Sequence, residues 1–316
     1  MQIFVSGSLA YDRIMDFPGK FTDHILPEKI HDLNVCFTVN DLSEKFGGTA
    51  GNIAYNLSLL EETPLILASV GKDFDQYGAW LEKNGLPLTA IRIIPEEFTA
   101  SAYITTDRSD NQITGFTLGA MKHPSLYNFS KTIKRALAII SPGNIDDMLA
   151  YSRAFKELAI PYIFDPGQSL PIIPVDRLIE ILTGADIFIS NDYEFEMVKK
   201  TTKMDKKTIL HLVNRALITT FGDKGSTVAT CEENIQIPAV DATRVIDPTG
   251  AGDAYRAGLM KGIAIKKELT EAARIGATCA SYAVEHKGTQ EHHFSKIQFW
   301  ERHQKFFGLR DESYIT

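Results

Sequence analysis

Residues 247–258 have the sequence DPTGAGDAYRAG, and this stretch decides the fold prediction for the chain. Gly250 and Gly252 lack side chains, so their backbone N–H groups can approach an anion closely. A helix is predicted over Gly250–Lys266, and the N–H groups of its first turn carry a partial positive charge. Asp253 lies in this turn, where a carboxylate can accept a proton from an attacking hydroxyl. A simple Asp-capped helix would have a similar start, but the full stretch favours a phosphoryl-transfer site.

A second glycine-rich stretch, FGGTAGNIAYNL, lies some two hundred residues earlier at positions 46–57. It is similar to the amino-terminal G-G-x-[GA]-x-N motif of the ribokinase-like (PfkB) family of sugar and nucleoside kinases. Residues 247–258 resemble the carboxyl-terminal signature of the same family. The two motifs occur in the family's order, and the resemblance covers nearly the whole chain. Residues 12–19, 47–52 and 111–116 look most similar to the bacterial adenosine-kinase-like branch.

The composition limits the classes of partner. The chain has 316 residues, enough for one large α/β domain with a small appendage. A net charge of −7 argues against nucleic acid or an anionic membrane as the main partner. Cys36, Cys231 and Cys279 are widely spaced, which favours a reducing compartment and no zinc site. With no leader or membrane span predicted, the protein is expected to be cytoplasmic.

Strand-like and helix-like segments alternate along most of the chain. This alternation predicts a mainly parallel central sheet covered by helices on both faces, with ligands beyond the carboxyl ends of the strands. The predicted strands are residues 2–8, 65–70, 136–140, 162–165, 186–190 and 216–220, with a late hairpin at 227–229 and 234–237. The predicted helices are residues 50–60, 74–84, 145–158, 175–182, 192–201, 206–213, 250–266, 270–285 and 295–306.

Two segments interrupt this alternation with hairpin-like patterns. Val35–Val39 and Leu42–Phe46 flank the turn residues Asn40–Asp41, and Thr99–Thr106 precedes Gln112–Leu118. These patterns predict a small sheet built from separated segments. The family resemblance implies that this sheet is a β lid that closes over the acceptor and excludes water. The implied division is a three-layer kinase core of residues 1–9, 47–98 and 119–316 and a discontinuous lid of residues 10–46 and 99–118.

The resemblance implies roles for the residues around the transferred phosphoryl group. Asp253 would act as the base, since a primary hydroxyl is a poor nucleophile until its proton is removed. The backbone N–H groups of Gly250, Ala251 and Gly252 would stabilise the developing negative charge. Asp247 lies where some members of the family hold a monovalent cation.

Two motifs that follow predicted strands would contact the nucleotide. Asn191 and Glu194 resemble the family's N-x-x-E motif, in which the carboxylate of Glu194 would orient water around Mg²⁺ on ATP. The same spacing is that of a helix capping box, which is a purely structural alternative. Thr220, Gly222 and Gly225 resemble the T-x-G-x-x-G motif that contacts the phosphates and ribose.

Four departures from the family pattern affect these expectations, one of which is Pro248 at a usually Thr-like place. Asp165 begins a segment similar to the family's D-P-N, but Gly167 replaces the asparagine. Thr49 replaces a lysine that is common in sugar kinases. Tyr255–Arg256 is bulkier than the residues usual at this place, which could alter the acceptor pocket or the nucleotide side.

The acceptor pocket is predicted at the end of the first strand. Asp12 matches the family aspartate that binds two sugar hydroxyls, and a carboxylate can accept from both hydroxyls of a vicinal diol. Asp16 is the alternative to Asp12. Gly47 and Gly48 would let the backbone approach the sugar. Asn52 would bond to a ring hydroxyl, unless it only bonds its own backbone at a helix start.

A nucleoside acceptor would need an aromatic wall for its base, and three side chains on the lid segments could supply one. These are Phe37, Tyr103 and Phe116, although aromatic residues on strands also serve plain packing.

The leading hypothesis is ATP- and Mg²⁺-dependent phosphorylation of the 5′-hydroxyl of adenosine or a related nucleoside. The alternatives are a kinase for ribose, fructose or a similar sugar, and a non-catalytic nucleoside- or sugar-binding protein on the same fold. Either a monomer or a homodimer paired through the lid edges is compatible with the sequence.

Overall fold

Two β-sheets organise the chain, one large and one small. The computed structural model describes residues 1–25, 27–32, 34–109, 111–133 and 135–308. The strands, numbered along the chain, are β1 Gln2–Ser6, β2 Ala10–Asp16, β3 Asp41–Gly47, β4 Leu65–Gly71, β5 Ile91–Ile94, β6 Ala100–Thr106, β7 Gln112–Thr117, β8 Ala136–Ile140, β9 Tyr162–Phe164, β10 Ile187–Asn191, β11 Ala216–Thr220, β12 Ser226–Ala229 and β13 Asn234–Ile237. The α-helices are α1 Thr49–Leu59, α2 Asp75–Lys83, α3 Ile145–Glu157, α4 Val175–Leu182, α5 Asp192–Thr202, α6 Lys206–Leu212, α7 Ala251–Ala264, α8 Leu269–Ala283 and α9 Lys296–Phe307.

The large sheet is parallel except at one edge. Over the described residues its strand order is β13-β12-β11-β10-β9-β8-β1-β4-β5. The pairs from β11 across to β5 are parallel, and β12 and β13 form the antiparallel late hairpin at the edge. The short strand β5 was not predicted, because the tetrapeptide IRII is too brief to show a period.

Helices cover both faces of this sheet because its strands are apolar on both sides. Ile3 and Val5 point into a core that contains residues of α1, α2, α7 and α8. Phe4, between them, points into a second core with residues of α3, α4, α5 and α6. The triplet 187–189 in β10 divides between the same two cores. The three-layer α/β architecture is therefore confirmed.

The small sheet, called the lid sheet below, has the order β3-β2-β6-β7 over the described residues. Its β6–β7 hairpin agrees with the prediction, but the hairpin predicted within residues 35–46 is wrong. Val35–Val39 forms no strand, and β3 pairs antiparallel with β2 instead. Phe37 packs against Phe17 and Phe21, with ring centroids 4.8 and 5.3 Å apart. Phe37 of that segment thus belongs to an aromatic cluster rather than to a strand.

The topology gathers the predicted nucleotide motifs at one edge of the large sheet. Asp165 follows β9, Asn191 ends β10 and Thr220 ends β11, and these three strands are parallel neighbours. Their carboxyl ends therefore meet at the same edge. In the described residues, no helix has both the length and the apolar composition to cross a bilayer.

Candidate active site

A glycine turn at the start of α7 leaves backbone donors unpaired. Gly250 has a φ of +81°, which favours glycine, and a Cβ there would lie 3.0 Å from Thr289 Cγ2. Among the described residues, none accepts a hydrogen bond from the N–H of Gly250 or Gly252. The N–H of Ala251 donates to the Pro248 carbonyl at 3.2 Å. Two of the three predicted donors are therefore available to an anion at the positive end of α7.

Asp253 lies in the first turn of α7, and its Oδ2 accepts a hydrogen bond of 2.8 Å from Asn52 Nδ2. Burial raises the pKa of Asp253 to about 6, and the charge of Arg256 and the Asn52 hydrogen bond oppose the rise. The nearby carboxylates of Asp165 and Glu194 add to it. A carboxylate with this pKa is mostly ionised at pH 7 and is still basic enough to take a proton.

Arg256 is the residue whose importance the sequence did not reveal. Its Nη1 donates to the Gly252 carbonyl at 2.9 Å, and its Nη2 donates to Asp165 Oδ1 at 2.9 Å. The guanidinium Nε also contacts Asp165 Oδ2, and both side chains are buried. The sequence marked Arg256 only as bulky, although a charged residue one helical turn after Asp253 was a signal that it lies in the site.

A cavity of about 460 Å³ lies between the glycine turn and the carboxyl ends of β9, β10 and β11. Its lining includes four acidic side chains and the guanidinium of Arg256. Seven of the predicted site residues are in the lining: Asn191, Glu194, Thr220, Gly222, Gly250, Gly252 and Asp253. The remaining lining residues are Thr49, Asp165, Gly167, Gln168, Asp192, Tyr193 and Arg256.

Asn191 and Glu194 form the capping box that the sequence left open as a structural alternative. Asn191 Oδ1 accepts from the Glu194 N–H at 2.7 Å, and Glu194 Oε2 accepts from the Asn191 N–H at 2.8 Å. Burial raises the pKa of Glu194, and the Asn191 hydrogen bond opposes the rise. The capping bond uses one carboxylate oxygen of Glu194, and the residue lines the cavity.

Gly225 is the predicted nucleotide-binding residue that does not line the cavity. It has a φ of +85°, and a Cβ there would clash with the Ile237 carbonyl oxygen. Its glycine is thus required by the turn between β11 and β12. Thr220 and Gly222 remain as the cavity residues of this motif.

The two glycines before α1 fit the chain between the sheets. Gly48 has a φ of +87°, and a Cβ there would lie 2.6 Å from the Ser8 carbonyl oxygen. A Cβ at Gly47 would lie 2.6 Å from Asp12 Oδ2. Gly47 therefore leaves room for the carboxylate of Asp12, and Gly48 allows the close approach of the Ser8 backbone.

Asp12 and Phe116 belong to one row of side chains across the lid sheet. The strand register pairs Lys45 with Asp12, Asp12 with Ala102, and Ala102 with Phe116. Residues paired in this way point to the same face of a sheet. Phe116 is half-exposed there. Burial raises the pKa of Asp12 to about 6, and no group in the described part of the chain donates a hydrogen bond to its carboxylate.

The other aromatic candidates do not share this face. Tyr103 pairs in register with Arg13, next to the Asp12–Ala102 pair, so it points to the opposite face. Arg13 Nη1 donates to the Tyr103 hydroxyl at 2.7 Å. Phe37 is held in the cluster described above. Asp16, the alternative to Asp12, lies exposed at the far end of β2.

Asp247, predicted near a monovalent cation, has structural partners. Asp247 Oδ1 accepts from the Thr249 N–H at 2.9 Å, and its Oδ2 accepts from the Gly288 N–H at 3.1 Å, so it joins two loops. His292 is fully buried, its Nε2 bonds Asn56 Oδ1 at 2.8 Å, and burial lowers its pKa to about 4. Across the described ranges, no group of three or more metal-binding side chains is present.

Comparison with known proteins identifies the family. The sequence pattern of the pfkB family carbohydrate kinase matches residues 12–296. The chain belongs to the PfkB family. The resemblance seen in the two glycine-rich motifs is thus confirmed, and the protein is a phosphotransferase with an alcohol group as acceptor.

Nucleoside kinases are among the most similar relatives of this PfkB protein. A nucleoside kinase of Methanocaldococcus jannaschii is 34% identical over 266 residues, covering 83% of this chain and 87% of that protein. The structure of a Burkholderia thailandensis nucleoside kinase in complex with inosine has a TM-score of 0.85 and 36% identity, covering 98% and 99% of the two chains. Its complex with ADP-inosine has a TM-score of 0.83 and 37% identity, covering 98% and 97%.

Proposed function

We propose that this PfkB kinase transfers the γ-phosphoryl group of ATP to the 5′-hydroxyl of a nucleoside, with adenosine or inosine as the class of acceptor. The observation that carries the proposal is the row on the lid sheet that joins Asp12 to Phe116. It combines, on one face, an aromatic ring and a carboxylate that has no hydrogen-bond partner among the described residues. The similar bacterial enzyme that binds inosine supports the same class of acceptor.

The row has the dimensions of a nucleoside. Neighbouring strands are about 4.8 Å apart, so Asp12 and Phe116, two strands apart, are separated by about 10 Å. The small side chain of Ala102 lies between them. Asp12 would accept hydrogen bonds from the 2′- and 3′-hydroxyls, and Phe116 would pack against the base. The lid sheet, on segments 10–46 and 99–118, would close over this acceptor and exclude water.

Asp253 would act as the base in the transfer. Its carboxylate takes the proton of the 5′-hydroxyl as the hydroxyl oxygen attacks the γ-phosphorus. The bond from phosphorus to the β,γ-bridging oxygen breaks, and ADP leaves. The free N–H groups of Gly250 and Gly252 stabilise the charge that develops on the transferred group.

The nucleotide would occupy the cavity at the carboxyl ends of β9, β10 and β11. Asn191, Thr220 and Gly222 line this cavity and would contact the phosphates and ribose. The acidic lining repels a bare triphosphate, which supports a requirement for Mg²⁺. The free oxygen of Glu194 fits such an ion through water, since Mg²⁺ takes few protein ligands, and the ion would neutralise phosphate charge. A monovalent cation near Asp247 remains an expectation from the family.

A panel of acceptors tests the proposal. ADP release from ATP and Mg²⁺ is measured with adenosine, inosine, cytidine, ribose and fructose. The expected result is strong turnover with the purine nucleosides and weak turnover with the free sugars, because only a nucleoside reaches Phe116. Turnover restricted to a free sugar would reject the nucleoside acceptor and favour the sugar-kinase alternative on the same base and anion site.

A further inference from the structure

The loop between α8 and α9 contains a buried glutamine that belongs to none of the motifs. Gln290 is 3% exposed, and its Nε2 donates to Asn52 Oδ1 at 3.1 Å and to the Tyr77 hydroxyl at 2.7 Å. Its Oε1 accepts from the indole Nε1 of Trp80 at 2.9 Å. Asn52 in turn donates to Asp253 at 2.8 Å. A chain of hydrogen bonds therefore leads from Trp80 to the proposed base.

The chemistry of the donors and acceptors allows only one direction for the hydrogen bonds from Trp80 to Asp253. An indole N–H can only donate, so the oxygen of the Gln290 amide must face Trp80. The amide nitrogen of Gln290 then faces Asn52, which must present its own oxygen. The amide nitrogen of Asn52 is thereby left to face the carboxylate of Asp253, which accepts when ionised. The orientation of both amides thus follows from the network itself.

The same loop holds the end of lid strand β3. Tyr77, which accepts from Gln290, donates its own hydroxyl to the Gly47 carbonyl at 2.7 Å. Thr289 Oγ1 donates to the Phe46 carbonyl at 3.0 Å. On the other side of Gln290, Glu291 Oε1 accepts from Lys45 Nζ at 2.8 Å. Three consecutive loop residues, 289–291, thus connect to three consecutive residues of β3, 45–47.

We propose that Gln290 is a positioning residue for phosphoryl transfer, which acts by fixing the Asn52 amide so that it donates to Asp253. The inference rests on the proposed role of Asp253 as base. If the Asn52 amide were reversed, its oxygen would face the carboxylate and repel it. Gln290 and Trp80 prevent this reversal, because it would set the amide nitrogen of Asn52 against that of Gln290 and leave one of the two Gln290 N–H groups without an acceptor, the other being bonded to Tyr77. Through Tyr77, Gln290 also connects Asp253 to β3, the strand that contains Gly47 of the predicted acceptor pocket.

The hydrogen bond from Asn52 lowers the pKa of Asp253 and so opposes the effect of the neighbouring carboxylates. Asp165, after β9, and Glu194, on α5, raise the pKa of Asp253, and Arg256, on α7 itself, lowers it. The Asn52 bond from α1 acts in the same direction as Arg256. Loss of the orientation of Asn52 should therefore raise the pKa of Asp253 and move the acid limb of kcat to higher pH.

The test is a double-mutant cycle on Gln290→Met and Asn52→Ala, which is measured for kcat, KM and pH profile. Methionine has a similar volume and cannot donate to Asn52. We expect Gln290→Met to lower kcat about tenfold, as for one lost hydrogen bond to a charged group, with the nucleoside KM within about twofold. Asn52→Ala should lower kcat further, and the double variant should match Asn52→Ala alone, because Gln290 acts through Asn52. Effects that multiply, or a Gln290→Met kcat and pH profile like those of the unaltered protein, would overturn the proposal.

Three further variants serve as controls for this test. Gln304→Met makes the same substitution on the exposed side of α9 and should leave kcat and KM unchanged. Trp80→Phe keeps the aromatic packing but removes the donor that orients Gln290, so it should also lower kcat. It replaces Gln290→Met as the test if that variant does not fold. Asp253→Asn, measured in parallel, separates the two hypotheses. If Asp253→Asn retains turnover, the assignment of Asp253 as base fails. If Asp253→Asn loses turnover while Gln290→Met has normal kcat, only the role of Gln290 is rejected.

Discussion

The cavity side and the lid side of the site each contain a partly buried carboxyl group, and the two groups differ in their partners. Burial raises the pKa of both Asp253 and Asp12 to about 6. Asp253 accepts a hydrogen bond from Asn52 and lies near the guanidinium of Arg256. Asp12 accepts no hydrogen bond from the described residues.

This difference suggests a division of labour. Asp253 already has a hydrogen-bond donor and a nearby cation before any substrate arrives, which suits a base that must be correctly placed and ionised. Asp12 has lost part of its hydration without compensation, so the hydroxyls of an acceptor would supply the missing partners. We therefore expect substitutions near Asp253 to act on kcat and substitutions near Asp12 to act on acceptor KM.

The largest expected effect comes from Asp253→Asn, which removes the base and keeps the shape. The kcat should fall about a thousandfold, within the range for general base catalysis, while nucleoside binding measured by calorimetry stays within about threefold. The unaltered enzyme should lose kcat as pH falls through about 6, where the carboxylate takes up a proton. An Asp253→Asn protein with near-normal turnover would contradict the base assignment.

The same variant has a stability signature with a definite sign. The folded pKa of Asp253 lies above its ordinary value of 3.8, so folding favours the protonated carboxyl. The stability that this group contributes is complete below pH 3.8 and is lost as pH rises through about 6. Asp253→Asn should therefore gain thermal stability relative to the unaltered protein at pH 8, and this difference should shrink toward pH 5. An equal difference at both pH values would contradict the raised pKa.

Arg256→Met would make the surroundings of Asp253 more like those of Asp12, because it removes the main positive charge near Asp253. It also leaves buried Asp165 without its ion-pair partner, which typically costs about 3–5 kcal/mol. Urea denaturation measures that loss, and the acid limb of kcat should move to higher pH. Arg177→Met, which breaks the more exposed pair with Asp146, is the control and should cost less than about 1 kcal/mol. Equal losses in the two variants would mean that the Arg256 pair is no more important than a surface contact.

The main sheet and the cavity could be predicted from the sequence because their signals are local. Each strand–loop–helix unit shows its own apolar run and polar end, so Asn191, Thr220 and Gly250 could be assigned to one edge of the sheet. Parallel neighbours then bring such ends together without any knowledge of side chains.

The pairing of β2 with β3 and the hydrogen bond from Gln290 to Asn52 could not be predicted, because each joins residues that are distant in the sequence. β3 pairs with β2 across an intervening segment, so the turn at Asn40–Asp41 suggested the wrong partner. Gln290 meets Asn52 across 238 positions of sequence, and a single amide in a polar loop has no periodicity. Arg256 was visible as a bulky residue, but its partner Asp165 lies 91 positions away.

Asp12→Asn should sharpen the contrast with Asp253 by acting on binding. Replacing the carboxylate weakens hydrogen bonds to two hydroxyls, and each such bond to a charged group is worth about 1.5–3 kcal/mol. We expect nucleoside KM to rise about a hundredfold while kcat changes by less than about fivefold. In the unaltered enzyme, KM should also rise as pH falls through about 6, and this dependence should weaken in the variant. An unchanged KM would move the sugar-binding role to another residue such as Asp16.

The smallest effect compares two aromatic residues on opposite faces of the lid sheet. Phe116→Ala should raise the KM for adenosine about tenfold, since one stacked base is worth about 1–3 kcal/mol. Tyr103→Ala is the matched control, because it removes a ring from the neighbouring row that faces the other way. Its KM should stay within about twofold, with any loss seen in stability through the Arg13 hydrogen bond. If Tyr103→Ala raised KM as much as Phe116→Ala, the acceptor would not lie on the Asp12 face. The free energy of binding would then come from general lid packing and not from a stacked base.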